Sequence, residues 1–245
     1  MRDAIQHDAS SVLIIVPVYN EALNLSSLLE NILSETHFDV IVIDDNSSDE
    51  SIETALERGV PVLPLSARLG AWGAVQTGIR YGLKHNYNTF ITMDGDGQHH
   101  PRDITSLLKA MDDSSVDMVI GSCPGRGSAA RHVAWWIFRG LSGLNLRDLT
   151  SGFKVFKRKT AVYLAQPKAS IFDYQDIGVI LYLLQNSILI GEKSVRMAPR
   201  GDGKSRIFSS WPQVIKYMLQ TIVLCLSMRV FRKPICKKNT RYHNN

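Results

Sequence analysis

Asp94 and Asp96 are the first candidates for chemistry. They stand two residues apart in NTFITMDGDGQHHP, residues 88–101, with Gly95 between them and Gly97 after. Thr89 to Met93 reads as a short buried strand, β-branched and aromatic, running into a glycine-broken turn. A spacing of two lets both carboxylates face one side, and glycine permits backbone angles that other residues avoid. The C-terminal end of a strand in an open α/β sheet is where ligands bind. Two hard oxygen donors there suit a divalent cation, Mg2+ or Mn2+, carrying a diphosphate. Asp-Gly pairs more often make hairpin turns, but Pro101 to Met111 has a helical pattern and leaves no second strand. A calcium loop counted from Asp94 needs Gly at its sixth position and Glu at its twelfth; those positions hold His99 and Thr105.

Further polar residues stand at other strand ends. Val12–Val16 is a β-rich run bounded by Pro17, then Tyr19, Asn20 and Glu21. The simplest reading of that stretch is a plain strand-to-helix connection, with Asn20 or Asn24 capping a helix that carries Leu25, Leu28, Leu29 and Ile32 on one face. Phe38–Ile43 is a second strand ending at Asp44-Asp45. A carboxylate beyond a strand end commonly accepts hydrogen bonds from ribose or base; Ser47, Ser48 or Asp49 can cap the helix that follows, and both readings can hold together. RGDGKSRIF, residues 200–208, is a polar surface loop by composition, and the same composition suits a diphosphate clamp.

The elements between these residues alternate strand and helix, which argues a mostly parallel α/β sheet. A short strand is expected over Val60–Leu65 and a helix over Arg68–Leu83. Gly70, Gly73, Gly78 and Gly82 lie in that helix, each costing about 1 kcal/mol, so close packing against a strand or ligand is expected for some of them. Next come a helix over Asp103–Met111 and strands over Asp117–Ile120, Thr150–Phe156 and Ile188–Met197. A loop over Phe172–Asp176 opens a buried helix over Ile177–Leu184. Gly125-Arg126-Gly127 does not make a dinucleotide site, because Pro124 precedes it. Arg126, Arg131 and Arg139 share a segment with Trp135, Trp136 and Phe138. That segment is either an exposed basic face or a phosphate contact beside a lipid interface.

The 245 residues suffice for one large α/β domain. Residues 1–11 read as a polar N-terminal segment without a signal peptide, 12–208 as the α/β domain, and 209–245 as an apolar and basic C-terminal segment. Cys123, Cys225 and Cys236 lack metal-ligand spacing and suggest a reducing compartment. The net charge of +5 is uneven: from Arg196 onward, 11 Lys or Arg meet a single acid, Asp202. An acidic surface or ligand is expected there. No nucleic-acid recognition motif accompanies the charge, so nucleic acid is not an expected partner. Trp211–Phe231 is apolar, but Tyr217–Met228 between Lys216 and Arg229 is shorter than the ~20 residues of a membrane span. With Trp211 and the basic Arg232-Lys233 and Lys237-Lys238 it suits an amphipathic helix on a membrane surface, or else a core helix with a solvated tail.

In combination the motifs become specific. VPVYNE at 16–21, IDDNSSD at 43–49, DGDGQH at 94–99 and RGDGKSR at 200–206 occur in one order. This resembles the family 2 glycosyltransferases of A-type fold, and within them the dolichol-phosphate mannose synthase-like branch, across residues 12–208. The resemblance implies that Pro17, Tyr19 and Glu21 meet the nucleotide. It implies that Asp45, with Ile43 and Asp44 beside it, holds base or ribose. Asp94, Gly95 and Asp96 would form the DxD site for metal and diphosphate, with Gln98 completing the metal site. Arg200 and Arg206 would grip the diphosphate. Arg126, Arg131, Lys204 and Ser205 are candidates for an acceptor phosphate, and Thr150-Ser151-Gly152-Phe153 looks like the family's SGF stretch below the acceptor. The chain departs from the branch at Gly121-Ser122-Cys123, where Gly-Ser-Arg is usual, and at Arg68, where Asn is common.

The expected function is an inverting, metal-dependent transfer of a sugar from a nucleotide-diphosphate donor to a polyprenyl phosphate, at the cytoplasmic face of a membrane. The alternative is transfer to a saccharide hydroxyl with Asp176 as general base. Asp176 matches the second acid of the Glu-Asp pair that opens a helix in many family members, and Gln175 stands where the first would be. A nucleotidyltransferase would need a glycine-rich, basic signature after the first strand, which Val16–Glu21 lacks. A non-catalytic sensor with a retained sugar-nucleotide pocket fits poorly with intact Asp94, Asp96 and Asp176.

Overall fold

The computed structural model describes residues 11–123, 125, 136, 140, 146–148, 151–172, 176–198, 218–219, 221–223, 226 and 240–243. Strands β1 (Val12–Val18), β2 (Asp39–Asp44), β3 (Val62–Pro64), β4 (Thr89–Thr92), β5 (Met118–Ser122), β6 (Lys154–Lys157), β7 (Ile190–Ser194) and β8 (Thr240–His243) form one sheet in the order β3-β2-β1-β4-β6-β5-β7-β8. All neighbours pair in parallel except β6, which runs antiparallel to both β4 and β5. This is the mostly parallel α/β architecture expected from the sequence.

Strand alternation sorts the core into two layers. Leu13, Ile15, Ile41 and Ile43 face α3 (Gly70–Lys84), α5 (Arg158–Leu164) and α6 (Asp176–Gln185). Ile14, Val16, Val40 and Val42 face α1 (Ala22–Glu35), α2 (Ser51–Glu57) and α4 (Asp103–Asp113). In α1 the buried residues are Leu25, Leu28, Leu29 and Ile32, the face its spacing foretold. Along α3, Gly78 lies against Ile15 and Gly82 against Phe90, so strand packing accounts for these two glycines.

Several local expectations are corrected. Strand β1 runs through Pro17 to Val18. Pro17 has no N–H to donate, and none is needed: β4 stops pairing with β1 at Ile15–Thr92, short of Pro17. Neither Asn20 nor Asn24 caps α1; Glu21 holds the N-cap position without a side-chain cap bond. The stretch expected as a strand over Thr150–Phe156 pairs only from Lys154 to Lys157. The Ile188–Met197 strand is reduced to Ile190–Ser194, with Met197 instead making an antiparallel bridge to His99.

Candidate active site

Strands β1, β2 and β4 end at one edge of the sheet, and the polar motifs leave from those ends. The loops after β1 and β2 are stitched together side chain to backbone. Asn20 N–H donates to Ser47 Oγ at 2.9 Å, and Ser48 N–H to Asn20 Oδ1 at 2.8 Å. Glu21 N–H donates to Ser51 Oγ at 3.0 Å, and Ala22 N–H to Asp49 Oδ2 at 3.1 Å. Asp49, in the loop after β2, and Ser51, at the start of α2, thus satisfy amides at the start of α1, which replaces the local Asn cap. Asn20 and Asn46 take left-handed backbone angles, φ 54° and 61°, which Asn tolerates. Burial by itself would raise the Asp49 carboxyl. Hydrogen bonds from the Ser51 hydroxyl and from the Ala22 and Ser51 amides outweigh it and hold the group below the ordinary carboxylate range.

The side chains assigned to the nucleotide fall into two sets. Tyr19 and Glu21 lie in the loop after β1. The Arg68 guanidinium covers the Tyr19 ring at 3.8 Å from its centroid, a cation–π contact. Glu21 accepts a bond from Asn24 Nδ2 at 3.2 Å. At the end of β2 the candidate residues are buried. Ile43 is fully buried beneath α3, so only its backbone faces the sheet edge. Asp44 is buried; its Oδ2 accepts Ser47 N–H at 3.0 Å and closes the turn, while its Oδ1 has no hydrogen-bond partner among the described residues. Asp45 is buried too, and its two oxygens accept Leu69 N–H at 2.6 Å and Gly70 N–H at 2.9 Å. It therefore anchors the α3 N-terminus, where a carboxylate complements the unpaired amides and the helix dipole. This cap also explains why α3 begins at Gly70 and not at Arg68.

The DGDG turn is folded over the end of β1. A Cβ on Gly95 would stand 3.1 Å from the Pro17 carbonyl oxygen, so glycine is what lets VPVYNE and DGDGQH approach each other. Asp94 is at the rim, its side chain 43% exposed. Its carboxylate rests on Gly152, where any Cβ would collide with both oxygens. Thr92 Oγ1 donates to the Gly152 carbonyl at 2.7 Å and fixes that juxtaposition. Antiparallel pairing of β6 with β4 thus brings the SGF stretch directly beneath Asp94. Asp96 Oδ1 accepts Gln98 N–H at 3.1 Å.

Gln98 joins this turn to the chain after β7. Its carbonyl accepts Ala198 N–H at 2.8 Å, and its Nε2 donates to the Ala198 carbonyl at 3.2 Å. RGDGKSR starts two residues beyond Ala198. Arg126, Arg131, Arg200, Lys204, Ser205 and Arg206 lie outside the described residues, as does the Asp176 side chain, although α6 opens at Asp176.

Three residues without a role in the sequence reading also shape the site. Glu192, buried in β7, accepts Arg147 N–H at 2.9 Å and Asp148 N–H at 2.8 Å, and Asp148 accepts Cys123 N–H at 3.3 Å. They pin the chain that leads into SGF to the far side of the sheet. Only the polar residue inside a strand pattern at Glu192 hinted at this. His99 was visible within DGDGQH and is buried beside Asp94.

The donor set fits a divalent cation. Asp94 is open to solvent beside a glycine seat, and both aspartates offer hard oxygen ligands. Among the described residues no group of three or more His, Cys, Asp and Glu could enclose a metal.

The Glycosyl transferase family 2 model matches residues 13–166, which hold three of the four sequence motifs. The chain belongs to glycosyl transferase family 2. It is 34% identical over 165 residues to an undecaprenyl-phosphate mannosyltransferase of Micrococcus luteus, covering 61% of this chain and 67% of that protein. It is 28% identical over 166 residues to a polyprenol monophosphomannose synthase of Mycolicibacterium smegmatis, covering 60% and 62%. The chain spans about half to two thirds of the length of the first such relatives. In fold it is similar to glucosyl-3-phosphoglycerate synthase of Mycobacterium tuberculosis in complex with Mn2+, UDP and phosphoglyceric acid. The TM-score is 0.72 at 16% identity, over 92% of this chain and 80% of that one.

Proposed function

We propose that this family 2 enzyme is an inverting, metal-dependent glycosyltransferase that moves a sugar from a nucleotide-diphosphate donor to a polyprenyl phosphate. The observation that carries the reading is the Asp94/Asp96 turn at the end of β4, seated on Gly152 and tied through Gln98 to the chain entering RGDGKSR. The nucleotide would lie along Pro17, Tyr19 and Glu21 and the end of β2 at Asp45. Mg2+ or Mn2+ would be held by Asp94 and Asp96, with Gln98 beside them, and when bound supplies Lewis-acid neutralisation of the leaving diphosphate. Arg200 and Arg206 add fixed positive charge to the same group. The names of the relatives from Micrococcus luteus and Mycolicibacterium smegmatis support the acceptor class.

Acceptor chemistry gives the test. A phosphate monoester has its second pKa near 6, so its oxygen attacks the anomeric carbon as an anion and needs cations rather than a base. Arg126, Arg131, Lys204 and Ser205 are the candidates to hold it. A saccharide hydroxyl would need Asp176 as general base, typically a 10²–10⁴-fold contribution. Asp176→Asn is therefore expected to keep activity on polyprenyl phosphate within about tenfold. Transfer confined to saccharide acceptors, and lost by more than about 10²-fold in the variant, overturns the reading in favour of a hydroxyl acceptor.

A lipid acceptor also requires a membrane surface. No helix of the described residues is long and apolar enough to cross a membrane. Leu219, Val223 and Leu226 are exposed at helical spacing, while Met218 and Ile222 pack on the core. That stripe, with the basic residues after it, fits peripheral attachment to the cytoplasmic face. Co-sedimentation with anionic but not neutral vesicles, weakening with salt, is the expected outcome.

A further inference from the structure

His99 is 2% exposed, and neither ring nitrogen has a hydrogen-bond partner among the described residues. Buried polar side chains are as a rule satisfied, so an imidazole left with two open positions calls for a reason. Its surroundings hold it still. The backbone of His99 bridges Met197, and its ring lies against Phe153, with centroids 5.0 Å apart. Its Nε2 points at the candidate metal ligand: it stands 3.7 Å from Asp94 Oδ2, just beyond hydrogen-bond reach. The Asp94 carboxylate meanwhile rests on Gly152, which carries no Cβ to limit its rotation. One wall of the carboxylate is therefore smooth, and the other holds a fixed donor waiting less than 1 Å short.

We infer that His99 is a positioning residue for Asp94: its imidazole donates Nε2–H to Asp94 Oδ2 when metal and diphosphate are bound, and so orients the carboxylate as a metal ligand. This rests on the metal–diphosphate reading of Asp94 and Asp96. Partners of this kind orient a ligand and raise its affinity for metal, and their loss typically costs 10–100-fold in metal binding. Gly152 gives Asp94 room to turn, and His99 selects the orientation.

The test measures metal directly. Mn2+ is titrated into wild-type protein with UDP or GDP, and free Mn2+ is followed by electron paramagnetic resonance. His99→Phe fills the volume without a donor and is expected to lose about tenfold or more in nucleotide-dependent Mn2+ affinity. His99→Gln keeps an amide donor near the Nε2 position and is expected to stay within about threefold of wild type, well short of the loss on removing the donor. Equal affinity in His99→Phe and wild type overturns the inference alone. An equal loss in both variants also overturns it, because packing and not the donor would then be responsible. If wild type shows no nucleotide-dependent Mn2+ binding, the metal reading falls and this one with it. Nitrogen-15 NMR of the wild-type histidine, independent of how the variants fold, should report the Nε2–H tautomer with a downfield proton once Mg2+ and nucleotide are added. An Nδ1–H tautomer there is incompatible with the assignment.

Discussion

The loops after β1 and β2 and the pocket around Asp94 are both strand-end sites, yet they are built differently. The first is stitched by short polar side chains onto backbone amides: Ser47 and Ser51 to the Asn20 and Glu21 amides, Asp49 to Ala22, Asn20 to Ser48. The second is shaped by absence and contact. Gly152 provides a seat, His99 a wall, and Thr92 a clasp, with partners about 60 residues apart in sequence for the Thr92–Gly152 bond. A stitched loop has its shape fixed before ligand arrives. A seated carboxylate keeps the freedom to turn towards an ion. On the proposed function, the difference would separate a rigid floor for the nucleotide from an adjustable ligand for the metal.

The most severe break in that comparison is Asp96→Ala. It removes one of two hard ligands, and transfer is expected to fall by about 10³-fold, equivalent to several kcal/mol of charge stabilisation. Metal-dependent donor affinity should vanish with it. Calorimetric titration of donor with and without Mn2+ checks this; metal-dependent affinity surviving in the variant would rule out the assignment.

Gly152→Ala sharpens the seated half. Its methyl group takes the space of the Asp94 carboxylate, so Asp94 must leave its position. Activity should fall by about tenfold or more while the thermal midpoint moves little, because Asp94 is at the rim. Full activity would show that the seat is dispensable.

Ser51→Ala addresses the stitched half. Ser51 is fully buried and takes the Glu21 amide at 3.0 Å. An unsatisfied buried N–H costs about 1–3 kcal/mol, so the melting midpoint should drop by several degrees. The KM for donor should rise with little change in kcat. A kcat loss at unchanged stability would contradict the division of labour.

The smallest effect concerns pH. Asp49 has its carboxyl held below the ordinary carboxylate range, so its bonds contribute stability that is fully present above the unfolded-state value. The contribution is lost as pH falls through the lower folded-state value. Asp49→Asn should therefore bring the midpoint down slightly at neutral pH and converge with wild type in strong acid. Because the group is mostly exposed, the shift at neutral pH should be about 2 °C or less. A gap that widens on acidification would reverse the sign of the argument.

Much of the strand-end framework was legible in the chain because it is carried by local motifs. VPVYNE, IDDNSSD and DGDGQH each follow a strand pattern, and period-2 burial fixes where those strands end. Misreadings came where a residue's partner lies in another segment. The second task of Asp45, accepting the Leu69 and Gly70 amides, went unread because nothing near it in sequence announces them. Asn20 and Asn24 read as caps because the groups that accept the first α1 amides, Ser51 and Asp49, belong to the segment after β2. Ile43 could be assigned a side only once α3 was laid across it.

The sequence by itself determined the α/β class, the order of strand-end motifs and the family, since hydrophobic period and residue type are local properties. Tertiary structure decided which groups are spoken for and which are available. Antiparallel β6 carries Gly152 beneath Asp94, the His99–Met197 bridge buries an imidazole against that carboxylate, and Gln98 ties the turn to Ala198. Each is a contact between segments that only the closing of the sheet brings together, and pairing across 60 to 100 residues leaves no periodic trace in the chain.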